Sequence, residues 1–308
     1  MSDPKLDQFL ALVEHGHYGR AAEALGLSQQ AVSKSIAALE KQYGVKLFSR
    51  GPFGATPTAF GEVLATRARV ARAELILAQS EIDAMRGSRY GHVRIGVGLC
   101  FAGRIMPQSI ARFRKRYPKV HLTAIVESSA VLFPMMLAGG LDFCVSAPPP
   151  DFPIDPDLSR EHLFFDRDTV IVRRQHPLAR KTRVKLSDLA EHTWLMSAQI
   201  SDVWKRVCHE FTAAGIAAPT QLVRTDSIAL ARELVLGGDY IVLLSRENIV
   251  RELDRGEVVS INVERIPQER PAILTCRQRT TLSPAADNLA RIIREICTEH
   301  YGAPTPHR

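Results

Sequence analysis

One stretch constrains this chain more than any other: AAEALGLSQQAVSKSIAALEKQYGVKLFSRG, from Ala21 to Gly51. Just before it, Leu6, Phe9, Leu10 and Val13 recur at helical spacing and Gly16 ends the run. A second short helix is predicted over Tyr18 to Leu25, with Ala21, Ala22 and Leu25 inward. Gly26 permits the positive φ of a sharp turn. Ser28 is a good N-cap for a third helix reaching Tyr43, whose Val32, Ile36 and Leu39 face the first two helices. A small Ala22 for a close crossing, Gly26 for the turn and Val32 to lock the pair together are what a helix-turn-helix requires. The residues left facing outward are Gln29, Gln30, Ser33 and Lys34, beside the capping Ser28. Gln can bond an adenine edge bidentately, Ser can read several bases, and Lys meets guanine or phosphate.

Short helices with Ala, Gly and Gln also occur in structural bundles, so the next segment decides between the readings. YGVKLFSRGPFGATPTAFG predicts a two-stranded wing, with strands at Val45–Phe48 and Ala55–Thr58 joined by Gly-Pro-Phe-Gly. Lys46 and Arg50 would then flank a phosphate backbone, and Thr56 completes the candidate DNA contacts.

With these residues in register, the chain resembles the LysR-type transcriptional regulators. The family pattern is carried by Phe9, Val13, Gly16, Ala21, Ala22, Leu25, Ser28, Gln29, Ala31, Val32, Ser33, Ile36, Leu39, Glu40, Gly44, Leu47, Phe48, Arg50, Thr58 and Gly61. Three positions depart from it. His17 stands where Ser is usual, which is expected to weaken the cap of the second helix. Gln30 stands for Pro in the first turn of the reading helix and alters its groove face. Pro57 replaces Leu in the wing.

Leu64, Ala68, Ala71, Leu75, Ala78, Ile82 and Met85 are spaced 4, 3, 4, 3, 4, 3, an a/d heptad that predicts a paired helix. From Phe60 to Arg86 it would be roughly 40 Å long at 1.5 Å per residue. The competing reading is an amphipathic helix packed on its own domain. The resemblance implies an antiparallel pair of linker helices, hence a homodimer or homotetramer on dyad DNA, with RNA polymerase a further contact. GSRYG, Gly87–Gly91, would be the hinge.

Beyond His92 the period changes to alternating strands and helices, as in HVRIGVG, RIMPQSIARFRKRYP and VHLTAIVE, which implies a parallel α/β sheet. The resemblance extends here through Leu137–Phe143, His176–Ala179 and LVLGGDYIVLLSR. It implies two Rossmann-like lobes, a periplasmic-binding-protein-like (type 2) fold, with a small-molecule effector between them. The expected division is a winged helix-turn-helix (all-α with a small β wing) over 1–59 and linker helix with hinge over 60–90. The α/β effector domain follows as lobe I over 91–165 and 271–308 and lobe II over 166–270.

Open α/β sheets bind ligands at the carboxyl ends of strands, where helix N-termini offer free N–H groups. The candidates are Leu99, Cys100 and Phe101 after the first strand, Ser128 and Ser129 after the second, and Ser146 after the third. In the other lobe they are Ser197, Gln199 and Ser201, then Thr225, Asp226 and Ser227. Hydroxyls at such junctions also cap helices with no ligand present. Cys100, Cys144, Cys208, Cys276 and Cys297 are scattered without metal spacing and read as free thiols; Cys208 reads as packing.

The remaining composition excludes classes. No apolar run approaches the ~18 residues of a membrane span. MSDPKLDQFL has neither the basic nor the apolar region of an export signal, so a cytoplasmic protein is expected. Net charge is +7, yet residues 1–90 hold eleven Lys and Arg against nine Asp and Glu, so bulk charge does not mark the DNA-binding end. No Gly-x-Ser-x-Gly, P-loop, Gly-x-Gly-x-x-Gly or His-Glu-x-x-His is present, and no cofactor is expected; the chain does not read as an enzyme. The alternative function is a cytoplasmic solute-binding protein whose N-terminal domain only oligomerises.

Overall fold

The computed structural model describes residues 4–51, 54–85, 91–148, 152–153, 155–197, 202–263, 266, 269–278 and 281–302. Three helices open the chain: α1 (Pro4–His15), α2 (Tyr18–Leu25) and α3 (Gln29–Tyr43). Phe9, Leu12, Ala21, Val32, Ile36 and Leu39 are each no more than 2% exposed and form one core. Burying a side chain such as Phe9 is worth about 1.5–3 kcal/mol, and its ring meets Phe48 of the wing with centroids 5.4 Å apart. Gly26 takes φ 66° and ends α2, its N–H returning to the carbonyls of Ala22 and Glu23. Leu25 is 37% exposed rather than inward: it occupies the last helical position, beyond the close contact made at Ala21 and Ala22.

The wing is β1 (Phe48–Gly51) paired antiparallel with β2 (Gly54–Pro57). The first strand begins three residues later than the sequence suggests. Leu47 and Phe48 turn their N–H groups to the Glu40 carboxylate, at 2.9 and 3.4 Å, and Lys46 gives its carbonyl to the Thr58 hydroxyl.

α4 (Ala59–Met85) follows, and its heptad divides. Ala68, expected at a helix-pair contact, is buried in the N-terminal core together with Ala65, and Leu64 packs against the same core. Ala65 and Ala68 close the three-helix domain from this side, whereas Phe60 and Val63 on the same turns stay exposed at 59% and 67%. Ala71, Leu75, Ala78 and Ile82 are exposed on the rest of the helix, Leu75 at 46% and Ile82 at 50%. The side chain of Met85 and residues 86–90 lie outside the described residues; of the expected hinge Gly87–Gly91, only Gly91 is described, and it opens the first strand of the sheet.

The remainder is built on one nine-stranded sheet, not on parallel sheets alone. Its strands are β3 (Gly91–Val97), β4 (Val120–Val126), β5 (Phe143–Ser146), β6 (Leu158–Arg173), β7 (Thr193–Met196), β8 (Leu222–Arg224), β9 (Tyr240–Ser245), β10 (Val258–Ile261) and β11 (Glu269–Arg277). The order is β4-β3-β5-β11-β6-β9-β7-β8, with β10 against β6. β3 pairs parallel with β4 and β5, and β7 with β8 and β9. β6 and β11 run antiparallel to their neighbours and to each other. The 16-residue β6 is the reason: it starts in one half of the sheet and finishes in the other, entering each from the direction opposite to the crossover strands.

Side chains alternate across the strands and feed separate layers. In β5, Phe143 and Val145 join the core under α5 (Ile105–Arg116) and α11 (Pro284–Tyr301), whereas Cys144 joins the layer under α6 (Ser129–Leu137). In β9, Ile241 packs with Trp194 and with Phe211 of α8 (Asp202–Ala213). Val242 packs instead with Ala231 and Val235 of α9 (Ile228–Gly237). Two shorter helices, α7 (Leu186–Ala190) and α10 (Val250–Asp254), complete the second half. Among the described residues no helix is long and apolar enough to cross a membrane.

Candidate nucleic-acid interface and ligand cleft

The start of α3 is set by Ser28, whose Oγ accepts the Ala31 N–H at 3.2 Å and leaves the backbone extended before the helix. His17 does for α2 what Ser usually does: Nδ1 accepts the Gly19 N–H at 3.1 Å, so the expected weakening of that cap does not occur. Ser28, Gln29, Gln30 and Ser33 share a concave face with His17 and Tyr18 on one side and Gly51 and Gly54 of the wing on the other. Gln29, Gln30 and Lys34 are exposed, and Ser33 is half-buried. Thr56 is exposed on β2, where its carbonyl accepts the Ser49 hydroxyl at 3.2 Å. Arg50 lies opposite Ala55 in the hairpin register, and its side chain is outside the described residues.

Lys46 is 81% exposed, and its Nζ already meets Glu40 Oε2 at 2.6 Å. Glu40 thereby ties the end of the reading helix to the root of the wing through one lysine and two backbone N–H groups. Burial opposes ionisation of Glu40, and the bonds from Lys46, Leu47 and Phe48 outweigh it, holding the carboxyl below its ordinary value. A depressed folded pKa contributes stability that is full at neutral pH and is lost as pH falls through the folded value. Glu40→Gln should therefore lower the stability of this domain by about 1–2 kcal/mol at pH 7, discounted for the exposed lysine. It should cost much less at pH 3.5. Thermal unfolding at the two pH values measures both, and an equal loss at both would show that the charge is irrelevant.

In the α/β half a cleft of about 490 Å³ opens where the strand ends of the two sheet halves face each other. One wall comes from Leu99, Cys100, Ser128, Ser129 and Ser146, the other from Ser197, Thr225, Asp226 and Ser227. Nine of the twelve sequence candidates thus share one cavity. Phe101 does not. It is fully buried in the first core, edge-on to Phe164 at 5.4 Å, because the short turn after β3 folds it under the sheet. Gln199 and Ser201 lie outside the described residues.

Several of these hydroxyls hold the walls together. Ser227 Oγ accepts the Leu230 N–H at 3.2 Å and caps α9, Thr225 Oγ1 accepts the Ser227 N–H at 3.0 Å, and Ser197 donates to Asp226 at 2.5 Å. Ser128 takes the extended N-cap backbone of α6, and among the described residues its side chain makes no capping bond. Cys100 is 5% exposed; burial, reinforced by the Asp166 charge, pushes its thiol well above the ordinary value, so it stands protonated.

The floor of the cleft is charged, and the candidates chosen at strand ends miss it. Arg270 of β11 reaches Asp166 at 3.1 Å and Asp168 at 2.8 Å, both on β6, and Ser245 donates to Asp166 at 2.5 Å. Asp168, Asn248 and Arg270 line the cavity. Burial raises both carboxyls above their ordinary values, against the pull of Arg270. The available signal was the sequence Asp-Arg-Asp inside the strand FFDRDTVIVRR, where alternation turns both acids to the same side.

Behind the cleft, α6 leads elsewhere. It starts at the cavity with Ser129 and ends at Leu137, two residues before Gly139, where a Cβ would stand 2.4 Å from Cβ of Ala73 on α4. Arg277 closes the junction, donating to the carbonyls of Met136 and Leu141 and meeting Glu74 of α4 at 3.4 Å.

A helix-turn-helix reader with a wing, joined by a long helix to an α/β domain with an interlobe cleft, defines a ligand-responsive DNA-binding protein. The model of the bacterial regulatory helix-turn-helix protein, lysR family, matches residues 5–62, and that of the LysR substrate binding domain matches 86–298. The chain belongs to the LysR family of transcriptional regulators. It is 30% identical over 296 residues to the HTH-type transcriptional regulator GalR of Pseudomonas putida, covering 96% of this chain and 74% of that one. Its fold is that of ArgP from Mycobacterium tuberculosis, with TM-score 0.72 at 19% identity over 99% of this chain and 100% of that one. The full-length LysG of Corynebacterium glutamicum with bound effector Arg gives TM-score 0.67 at 21% identity over 97% and 99%.

Proposed function

We propose that two or four copies of this regulator grip a dyad site in double-stranded DNA, each through the start of α3 and the wing, and that a small molecule in the interlobe cleft alters that grip. Residues 1–59 read DNA, 60–90 join the copies, and the lobes at 91–165 with 271–308 and at 166–270 close on the effector. Ser28, Gln29, Gln30 and Ser33 face base edges; Lys34, Lys46, Arg50 and Thr56 meet phosphates, Lys46 exchanging Glu40 for the backbone. The observation that carries this reading is the shared concave face of Ser28, Gln29, Gln30 and Ser33, bounded by the wing. The protein works in the cytoplasm, where its DNA is, without catalysis of its own.

The copies meet along Ala71, Leu75, Ala78 and Ile82, the part of the heptad that its own domain leaves exposed. Leu75→Glu with Ile82→Glu should leave a folded monomer by light scattering; an unchanged oligomer would place the contact elsewhere. Only a ligand with unequal affinity for two arrangements of the lobes can shift the readers, and α6 gives that shift a route, from the cleft to the flank of α4.

The test is to incubate the purified protein with sheared genomic DNA of its host at two salt concentrations and sequence what is retained. A few enriched sites carrying an interrupted dyad beside promoters, lost with Gln29→Ala and Gln30→Ala, are expected. Uniform recovery that falls steeply with salt would mean that the protein holds phosphates without reading bases.

A further inference from the structure

The chemistry of the cleft narrows what it holds; this inference rests on the cleft being the effector site. Four residues that line it each carry a buried polar atom with no hydrogen-bond partner among the described residues: Ser146 Oγ, Asp168 Oδ2, Asn248 Oδ1 and Arg270 Nε. Ser146, Asp168 and Asn248 are 1%, 4% and 6% exposed, so none of the three is rescued by open solvent. They arrive from separate elements, the end of β5, the middle of β6 and the turn after β9, and with β11 they converge on one cavity. An unmatched buried polar group is costly, and a ligand that reached these four from the cavity would remove that cost.

Their kinds define the ligand. Two are pure acceptors, Asp168 Oδ2 and Asn248 Oδ1; one is a pure donor, Arg270 Nε; Ser146 Oγ can do either. A carboxylate would satisfy Arg270 and meet repulsion at Asp168. Among the described residues lining the cleft, Arg270 is the single cation, already shared between Asp166 and Asp168, whereas Glu127, Asp168 and Asp226 are carboxylates. An ammonium would satisfy the acceptors and leave Arg270 Nε unmatched beside a second positive charge. A hydroxyl donates and accepts at once, and two adjacent hydroxyls span neighbouring donors and acceptors without adding charge. Leu99, Phe152, Leu195, Met196 and Ile228 offer an apolar wall to the carbon face of such a molecule. We propose that the effector is a neutral molecule with adjacent hydroxyl groups, held through Asp168, Asn248, Arg270 and Ser146, of the size of a single sugar or aromatic ring.

The full-length protein should be tested by thermal shift and then calorimetry against three sets of probes. The neutral set is D-glucose, D-xylose, myo-inositol and catechol; the anions are succinate and benzoate; the cations are putrescine and lysine. Binding by at least one neutral diol is expected, the sugars and catechol separating an aliphatic from an aromatic source. That affinity should fall at least about tenfold in Asp168→Asn, which removes a charged acceptor. Asn248→Ala removes an acceptor without touching the ion pairs and should show a similar loss, so the proposal stays testable if Asp168→Asn fails to fold. Binding of the anions or cations alone, or of no probe, overturns the proposed chemistry. Ser128→Trp, which fills the mouth of the cleft from an exposed position, separates the two failures. A ligand of another class that it blocks leaves the cleft as the effector site, and a ligand that it does not block overturns the cleft reading itself.

Discussion

Gly54→Val should abolish operator binding while leaving the α/β domain folded. Gly54 takes φ 127°, where a β-branched residue is strained by about 1–3 kcal/mol. A Cβ there would stand 2.2 Å from the carbonyl oxygen of Gly16, which is backbone and cannot rotate away. That carbonyl also accepts the Ala55 N–H at 2.8 Å, the bond that docks the wing on the turn between α1 and α2. Overpacking adds about another 1–3 kcal/mol, and the wing can relieve it only by leaving the turn. The concave face that Gly54 shares with Gln29 and Gln30 then opens. Gel-shift titration should show operator affinity reduced at least about 100-fold, the equivalent of roughly 3 kcal/mol. Affinity within a factor of three of wild type would mean that the wing is dispensable for reading.

Gly139→Val should separate effector binding from its consequence. Gly139 takes φ 74° in the turn just after α6 and packs against Ala73 and the carbonyl of Arg69 on the linker helix. A valine there must displace α4, at a cost of about 2–4 kcal/mol for the left-handed backbone and the overlap together. The cleft lies at the opposite end of α6, so effector affinity should change by less than about threefold. The change that effector makes in the footprint on operator DNA should disappear. Retained modulation would show that the signal travels by another path, such as the contact between Arg104 and Glu247, 2.5 Å apart, that joins the two halves of the sheet.

The two domains were not equally legible in the sequence. The reader is a local structure: its helices are 8 to 15 residues long, its turn needs one glycine, and its caps act within three residues. Such features leave a periodic trace in the chain, and even the departure at His17 kept the function of the residue it replaced. The effector domain left a clear alternation of strands and helices, but the direction of β6 and β11 is a long-range matter. Arg270 meets Asp166 and Asp168 across more than 100 residues, and no local pattern announces such a pair. The heptad of α4 shows a related limit. Spacing shows that a helix has an apolar stripe, not what covers it; Ala68 is buried in its own domain and Leu64 packs partly against the same core.

The sequence by itself thus determined the helix-turn-helix, the outward residues of its reading helix, the long linker helix and the α/β character of the rest. Each follows from propensity, capping or period acting over a turn or two. Only the tertiary structure decided which stripe of α4 stays open, that Phe101 leaves the cleft for the core, and that Asp168, Asn248, Arg270 and Ser146 face one cavity. Those outcomes depend on which distant groups compete for the same buried space, and that competition is settled when the sheet closes.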